Sequence, residues 1–163
     1  MRILGIDTGT NIAGYGIVDT FHGGRLKAID YGVIRAGAKD AFPLRLKNIY
    51  DGLTNIIKKH KPDHVAVEEI FYGKNVRTAL RIGEGRGIAL LSAASANLPV
   101  SEYAATVVKK AVVGSGNAHK SQVQTMVKII LNLSELPKPF DAADALAIAI
   151  CHSHHIKTVD SKQ

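Results

Sequence analysis

Asp7, Glu68, Asp141 and Asp144 stand where acids are rare, at the edges of hydrophobic stretches in a 163-residue chain. Asp7 closes Ile3-Leu4-Gly5-Ile6, and Glu68 closes Val65-Ala66-Val67. Asp141 and Asp144 open a segment with no other polar residue up to Ile150. A lone buried carboxylate costs several kcal/mol unless it is paired or coordinates a metal. Four of them close together cannot all stay ionised without a compensating cation. Oxygen-only ligation selects Mg²⁺ or Mn²⁺ over zinc, and two such ions can activate a water and stabilise the leaving oxygen of a phosphodiester. A formal net charge of +7 favours an anionic partner.

Each acid also has a plainer explanation. Asp141 could cap a helix after Pro137-Lys138-Pro139, Asp7 could end its strand in an Asx-turn, and Glu68 could be a solvated strand end beside Glu69. Asp144 resists such a reading, because alanines surround it in a buried-looking helix. All four plain explanations holding at once is much harder to accept than any one.

The elements that must position these acids follow from periodicity. Residues 2–8, 14–20 and 25–35 read as three strands, the last pair joined at Gly23-Gly24, and their short connections make an antiparallel meander. Pro43 opens a helix with apolar face Leu46, Ile49, Tyr50, Leu53, Ile56 and Ile57, and Pro62 ends it. Strand 64–69 has no polar alternation until its end, as suits a central strand covered on both faces. A helix over about 75–96, a short strand at 98–103, and helices at about 104–113, 118–132 (capped by Asn117) and 141–156 complete the chain. This order predicts an α/β fold: a mixed five-stranded sheet, antiparallel meander plus parallel strands, flanked by helices on both faces.

Strand parity then gathers the acids. Asp7 shares a face with Gly5 and Ile3, Glu68 with Ala66 and His64, and the small residues leave room for a close backbone. Ala142, Ala143, Ala145, Ala147 and Ala149 make the last helix slim, and a spacing of three puts Asp141 and Asp144 on one face of its first turn. Packing that helix on the first and fourth strands brings four carboxylates to one end of the sheet. Parity favours Glu68 over Glu69 only weakly.

The length fits one domain, residues 1–163, with 157–163 expected as a disordered tail. One cysteine, Cys151, excludes an internal disulfide and suits a reducing cytoplasm. Neither a bilayer-spanning apolar run nor a signal peptide is visible, so no membrane association is expected.

Gly5-Ile6-Asp7-Thr8-Gly9, Val67-Glu68-Glu69-Ile70-Phe71, Gly114-Ser115-Gly116 with Lys120-Ser121-Gln122-Val123-Gln124, and Asp141-Ala142-Ala143-Asp144-Ala145-Leu146-Ala147 occur in this order. Together they resemble the RuvC family of bacterial Holliday-junction resolvases (crossover junction endodeoxyribonucleases) over nearly the whole chain. The resemblance implies a ribonuclease H-like fold, a homodimer, and Mg²⁺-dependent paired nicking of opposed strands in a four-way DNA junction during recombination and repair. It also implies work alongside the RuvA–RuvB branch-migration complex. It carries the metal-binding role onto Asp7, Glu68, Asp141 and Asp144, and so settles Glu68 over Glu69. Thr8 departs from the family's usual proline, which matters little because the turn depends more on Gly9.

Phe71 and Tyr72, followed by Lys74, Arg77 and Arg81, suit a loop and helix start entering DNA beside the metal site, where a ring can stack on an unpaired base. An aromatic anchoring the loop in the core is the competing reading, evenly matched for Tyr72. For Phe71 the resemblance implies insertion at the crossover. Lys109, Lys110 and Lys120 flank the Gly114–Asn117 loop, and the resemblance places Lys109 and Lys120 by the scissile strand. Cys151-His152-Ser153-His154-His155 lacks a partner pair in zinc-ligand spacing and reads as a frayed helix end. Gly83 and Gly87 would permit close helix packing, in the core or between subunits.

A sugar-kinase or actin-like ATPase would also use Asp7-Thr8-Gly9-Thr10 at a phosphate, but that architecture needs two such domains. A ribonuclease H-like RNA-processing nuclease would share the acids without needing the Phe71 loop. A non-catalytic DNA-binding module leaves four acids unexplained. The junction-resolving nuclease is favoured.

Overall fold

The computed structural model describes residues 1–37, 39–69 and 76–160, the side chains of 76–78 and 157–160 aside. Strands β1 (Arg2–Asp7), β2 (Ile12–Thr20) and β3 (Leu26–Arg35) form the expected meander. Then come α1 (Phe42–His60), β4 (His64–Glu69), α2 (Val76–Ser95), β5 (Val100–Ala104), α3 (Ala105–Val113), α4 (Lys120–Ile130) and α5 (Phe140–Asp160). The sheet order is β3-β2-β1-β4-β5, with β4 parallel to both β1 and β5. This is the mixed five-stranded sheet expected, and β4 lies inside it.

Alternation along the strands splits the core into two layers. Leu4, Ile6, Val65 and Val67 face α1 and α2, meeting Ile49, Leu53, Ile57, Ala89 and Ala93. Ile3, Val18 and Ala66 face α3, α4 and α5, meeting Val108, Val123, Val127 and Ile148. The alanines of α5 matter because its backbone lies almost on the sheet. A Cβ built on Gly5 would come within 2.1 Å of the Ala145 carbonyl oxygen, and one on Gly14 within 2.0 Å of the Asp141 carbonyl oxygen. Glycine in a strand interior marks such an approach of a second backbone.

Two local expectations need correction. His119, not Asn117, caps α4: the His119 and Gln122 side chains exchange hydrogen bonds with each other's backbone. The chain is still turning at Asn117, since Gly114 closes α3 in the left-handed region and the Ala118 N–H reaches back to the Ser115 carbonyl. The Cys151–His155 run is not a frayed end. Helix α5 continues to Asp160, and Cys151, His152 and Ser153 are buried. The expected tail, 157–163, falls on residues whose side chains or backbone lie outside the described set.

His152 is held by the Tyr103 hydroxyl at 2.7 Å from its Nδ1, and its ring lies 5.1 Å from that of His64. Burial, then the neighbouring His64 and His155, push its pKa down to about 4. The unfolded chain therefore binds this proton more readily than the folded one. Its contribution is intact above about pH 6.5 and is lost as pH falls toward 4, up to about 3 kcal/mol. Urea unfolding of wild type should show that loss on top of the carboxylates' own pH dependence, and His152→Gln should lack it. Identical pH profiles would count against the assignment.

Candidate active site

β1 and β4 run parallel in the register Gly5↔Ala66 and Ile6↔Val67, so Asp7 and Glu68 leave the same end of the sheet. Helix α5 enters over that end. Asp141 sits inside its first turn rather than capping it, with the Ala142 and Ala143 N–H groups bonded to the Pro139 carbonyl. The segment before α5 is fixed from α4, where the buried Gln124 donates to the Pro137 carbonyl oxygen at 2.7 Å. Sequence reasoning missed Gln124. Its signal was a lone amide on the inward face formed by Val123, Met126 and Val127.

Asp7, Glu68 and Asp144 line one cleft, and Asp141 lies outside its lining but near enough to act on Asp7. Asp7 is partly buried, and its carboxyl is pushed up to about 7 by burial first and then by Asp144, Glu68 and Asp141, against the pull of Lys120. Glu68 is raised by burial and Asp144, opposed by Lys120 and Lys109. Glu69 beside it is exposed, in line with the weak preference from parity. The Lys120 ammonium lies 2.9 Å from Asp144 Oδ2, and this bond raises the lysine's own pKa. A cleft of about 180 Å³ is lined by Asp7, Glu68, Asp144, Lys109, Lys120 and Ala147. A second cleft of about 520 Å³ shares Asp7 and Glu68 and extends past Thr8, Ile82 and Thr106. A wider recess of about 820 Å³ at the opposite end of the sheet is lined by Arg2, Asp19 and Asp63. There Arg2 is already paired with Asp19, so no comparable chemistry is offered.

The donor set fits a hard divalent cation. It contains only carboxylate oxygens, and Asp7 is raised by burial and then by its acidic neighbours, which the pull of Lys120 does not offset. Among the described residues no three acids are yet drawn into a closed ligand set; the carboxylates share an electrostatic neighbourhood, with Lys120 as a counter-charge.

Lys109 lines the cleft while Lys110 is exposed, as the resemblance had separated them. Phe71, Tyr72 and Lys74 lie outside the described residues. Arg77 is in the first turn of α2 with its side chain outside the described set, and Arg81 is exposed one turn later.

A protein-family model described as "Crossover junction endodeoxyribonuclease RuvC" matches residues 3–152. The chain belongs to the RuvC family. RuvC of Desulforamulus reducens is 53% identical over 158 residues, spanning 97% of this chain and 96% of its own. RuvC of Alkaliphilus oremlandii is 54% identical over 154 residues, spanning 94% and 93%. The solved structure "T. thermophilus RuvC in complex with Holliday junction substrate" superposes with a TM-score of 0.87 at 30% identity, over 97% of this chain and 96% of that one. The fold is therefore the ribonuclease H-like fold of RuvC.

Proposed function

We propose that this RuvC-family chain, as one nuclease domain, resolves four-way DNA junctions by metal-dependent paired nicking of two opposed strands. The observation that carries the reading is the gathering of Asp7, Glu68 and Asp144 in one cleft at the end of a ribonuclease H-like sheet, with Asp141 close by and Asp7 pushed up to about 7 by burial first and then by the other three acids. The Thermus relative captured with its junction supports the substrate.

Asp7, Glu68, Asp141 and Asp144 would hold two Mg²⁺ ions per subunit, with Mn²⁺ able to substitute. When bound, the ions supply Lewis-acid activation of water and neutralise charge developing on the scissile phosphate. The residues of the chain itself position the strand. Lys109 and Lys120 flank the cleft, and Lys120, paired here with Asp144, would be free to meet a phosphate oxygen if a cation held that carboxylate. Lys109→Ala and Lys120→Ala should each cut the single-turnover cleavage rate at saturating junction, on the order of tenfold to a hundredfold. Normal cleavage at saturation would reduce both lysines to phosphate anchors.

Phe71 would enter the junction centre and stack on a base, with Tyr72, Lys74, Arg77 and Arg81 contacting the surrounding DNA. A homodimer follows from the two-fold symmetry of the junction. The solvent face of α2 supports it: Leu80 and Leu91 are 64% and 54% exposed, and Gly83 and Gly87, on the same face, would meet nothing within 4 Å if given a Cβ. Cooperation with RuvA–RuvB and action in the cytoplasm complete the reading. Among the described residues, no helix is long and apolar enough to cross a membrane.

Affinity in EDTA, measured for a four-way junction and a linear duplex of equal length, tests substrate selection. The junction should bind at least about tenfold more tightly, and equal affinity would contradict structure selection.

A further inference from the structure

The α1–α2 side of the sheet carries a feature the catalytic reading leaves unused. A groove of about 270 Å³ is lined by Phe42, Arg45, Leu80, Arg81 and Glu84. Its place follows from the topology. Arg35 pairs with Ile12, so β3 ends, and α1 begins, at the same end of the sheet as Asp7. The turn that leaves Asp7 closes at Asn11, and the Asn11 side-chain oxygen accepts a hydrogen bond from Arg45 Nη1. The Arg45 guanidinium also lies 5.2 Å over the Phe42 ring, while its Nε is buried with no partner among the described groups.

Arg45 is thus fixed at the wall of the groove. A surface arginine ordinarily keeps its rotamer freedom, whereas one stacked on an aromatic and tied by one nitrogen has already lost it. Planar, permanently charged and fixed, it is suited to a phosphate oxygen. Exposed Arg81 adds a second cation. Glu84 lines the same groove with the opposite charge.

We infer that this groove seats the sugar-phosphate backbone of a junction arm, with Arg45 and Arg81 as phosphate contacts and Phe42 as the platform that presents Arg45. The inference rests on the junction-resolving reading and extends it: the arm would leave the acids, cross the turn from Asp7 to Asn11, and lie against α1 and α2. The contact reads no base, so it should act on every junction sequence alike.

Junction affinity in EDTA over a salt titration, for wild type, Arg45→Ala and Glu84→Gln, tests it. Arg45→Ala should bind about fivefold to tenfold more weakly, and its slope of log K against log [salt] should be shallower by about 0.9, one phosphate contact. Glu84→Gln should bind more tightly than wild type, a gain that a damaged fold would not give. Loss in the first variant together with gain in the second supports the groove; any other combination overturns it. A wild type that does not prefer the junction to a linear duplex would instead sink the functional reading, whereas a wild type with that preference and an unchanged Arg45→Ala sinks only the groove.

Discussion

Asp7→Asn is expected to lose junction cleavage by on the order of 10³-fold while making the metal-free protein more stable. The two effects have one cause. The substitution removes a carboxylate from the set that attracts the cation, and several kcal/mol of transition-state stabilisation go with it. The same carboxylate is a burden without metal. Its pKa is raised from 3.8 to about 7, so the folded state resists losing the proton that the unfolded chain gives up easily. The sign is therefore opposite to that of a salt-bridged acid. The penalty is absent below about pH 3.8, grows as pH rises, and is complete above about 7. Allowing for the partial exposure of Asp7, the amide should gain about 2 kcal/mol at pH 8, a rise in Tm of about 4–8 °C. Added Mg²⁺ should raise the Tm of wild type and do less for the variant. Cleavage within tenfold of wild type would contradict the role of Asp7.

Gly5→Ala, which exchanges one hydrogen for a methyl group, is expected to be strongly destabilising. The new Cβ would lie 2.1 Å from the Ala145 carbonyl oxygen and 2.8 Å from the Ala149 nitrogen. Both are helix backbone, so no side-chain rotation relieves the clash, and α5 must move away from β1. Overpacking of this kind costs typically 1–3 kcal/mol and more where backbone must shift. About 3 kcal/mol is expected from urea unfolding. Because α5 carries Asp141 and Asp144, cleavage should fall further than the unfolded fraction accounts for. A variant with wild-type stability and activity would show that the close packing of α5 on the sheet does not position the acids.

The sequence is legible where one physical constraint dominates. The apolar run Val65–Val67 forms the middle of β4, because a strand covered on both faces keeps its polar residues to its ends. Parity with Gly5 and Ala66 pointed to one sheet face for Asp7 and Glu68, and the alanines of α5 pointed to the helix that covers it. The Asn117 cap was misread because a good capping residue competes with whatever else the chain can form, and here the turn continues to Ala118. The Cys151–His155 run reads as polar in sequence, yet tertiary packing buries its first three residues, with His152 against Tyr103 and His64. Pairings across long separations, such as Lys120 with Asp144 or Arg45 with Asn11, leave no periodic trace, and only the fold brings them together.

The most direct measurement of the central claim uses a four-way junction labelled on both opposed strands, incubated with the protein with and without Mg²⁺, beside a linear duplex of the same sequence. With Mg²⁺, symmetrically placed nicks in the two opposed strands are expected, with products that a ligase can reseal as linear duplexes and no cleavage of the duplex. Without the ion the junction should stay intact. Cleavage in EDTA, or cutting of the linear duplex as fast as the junction, would contradict the claim.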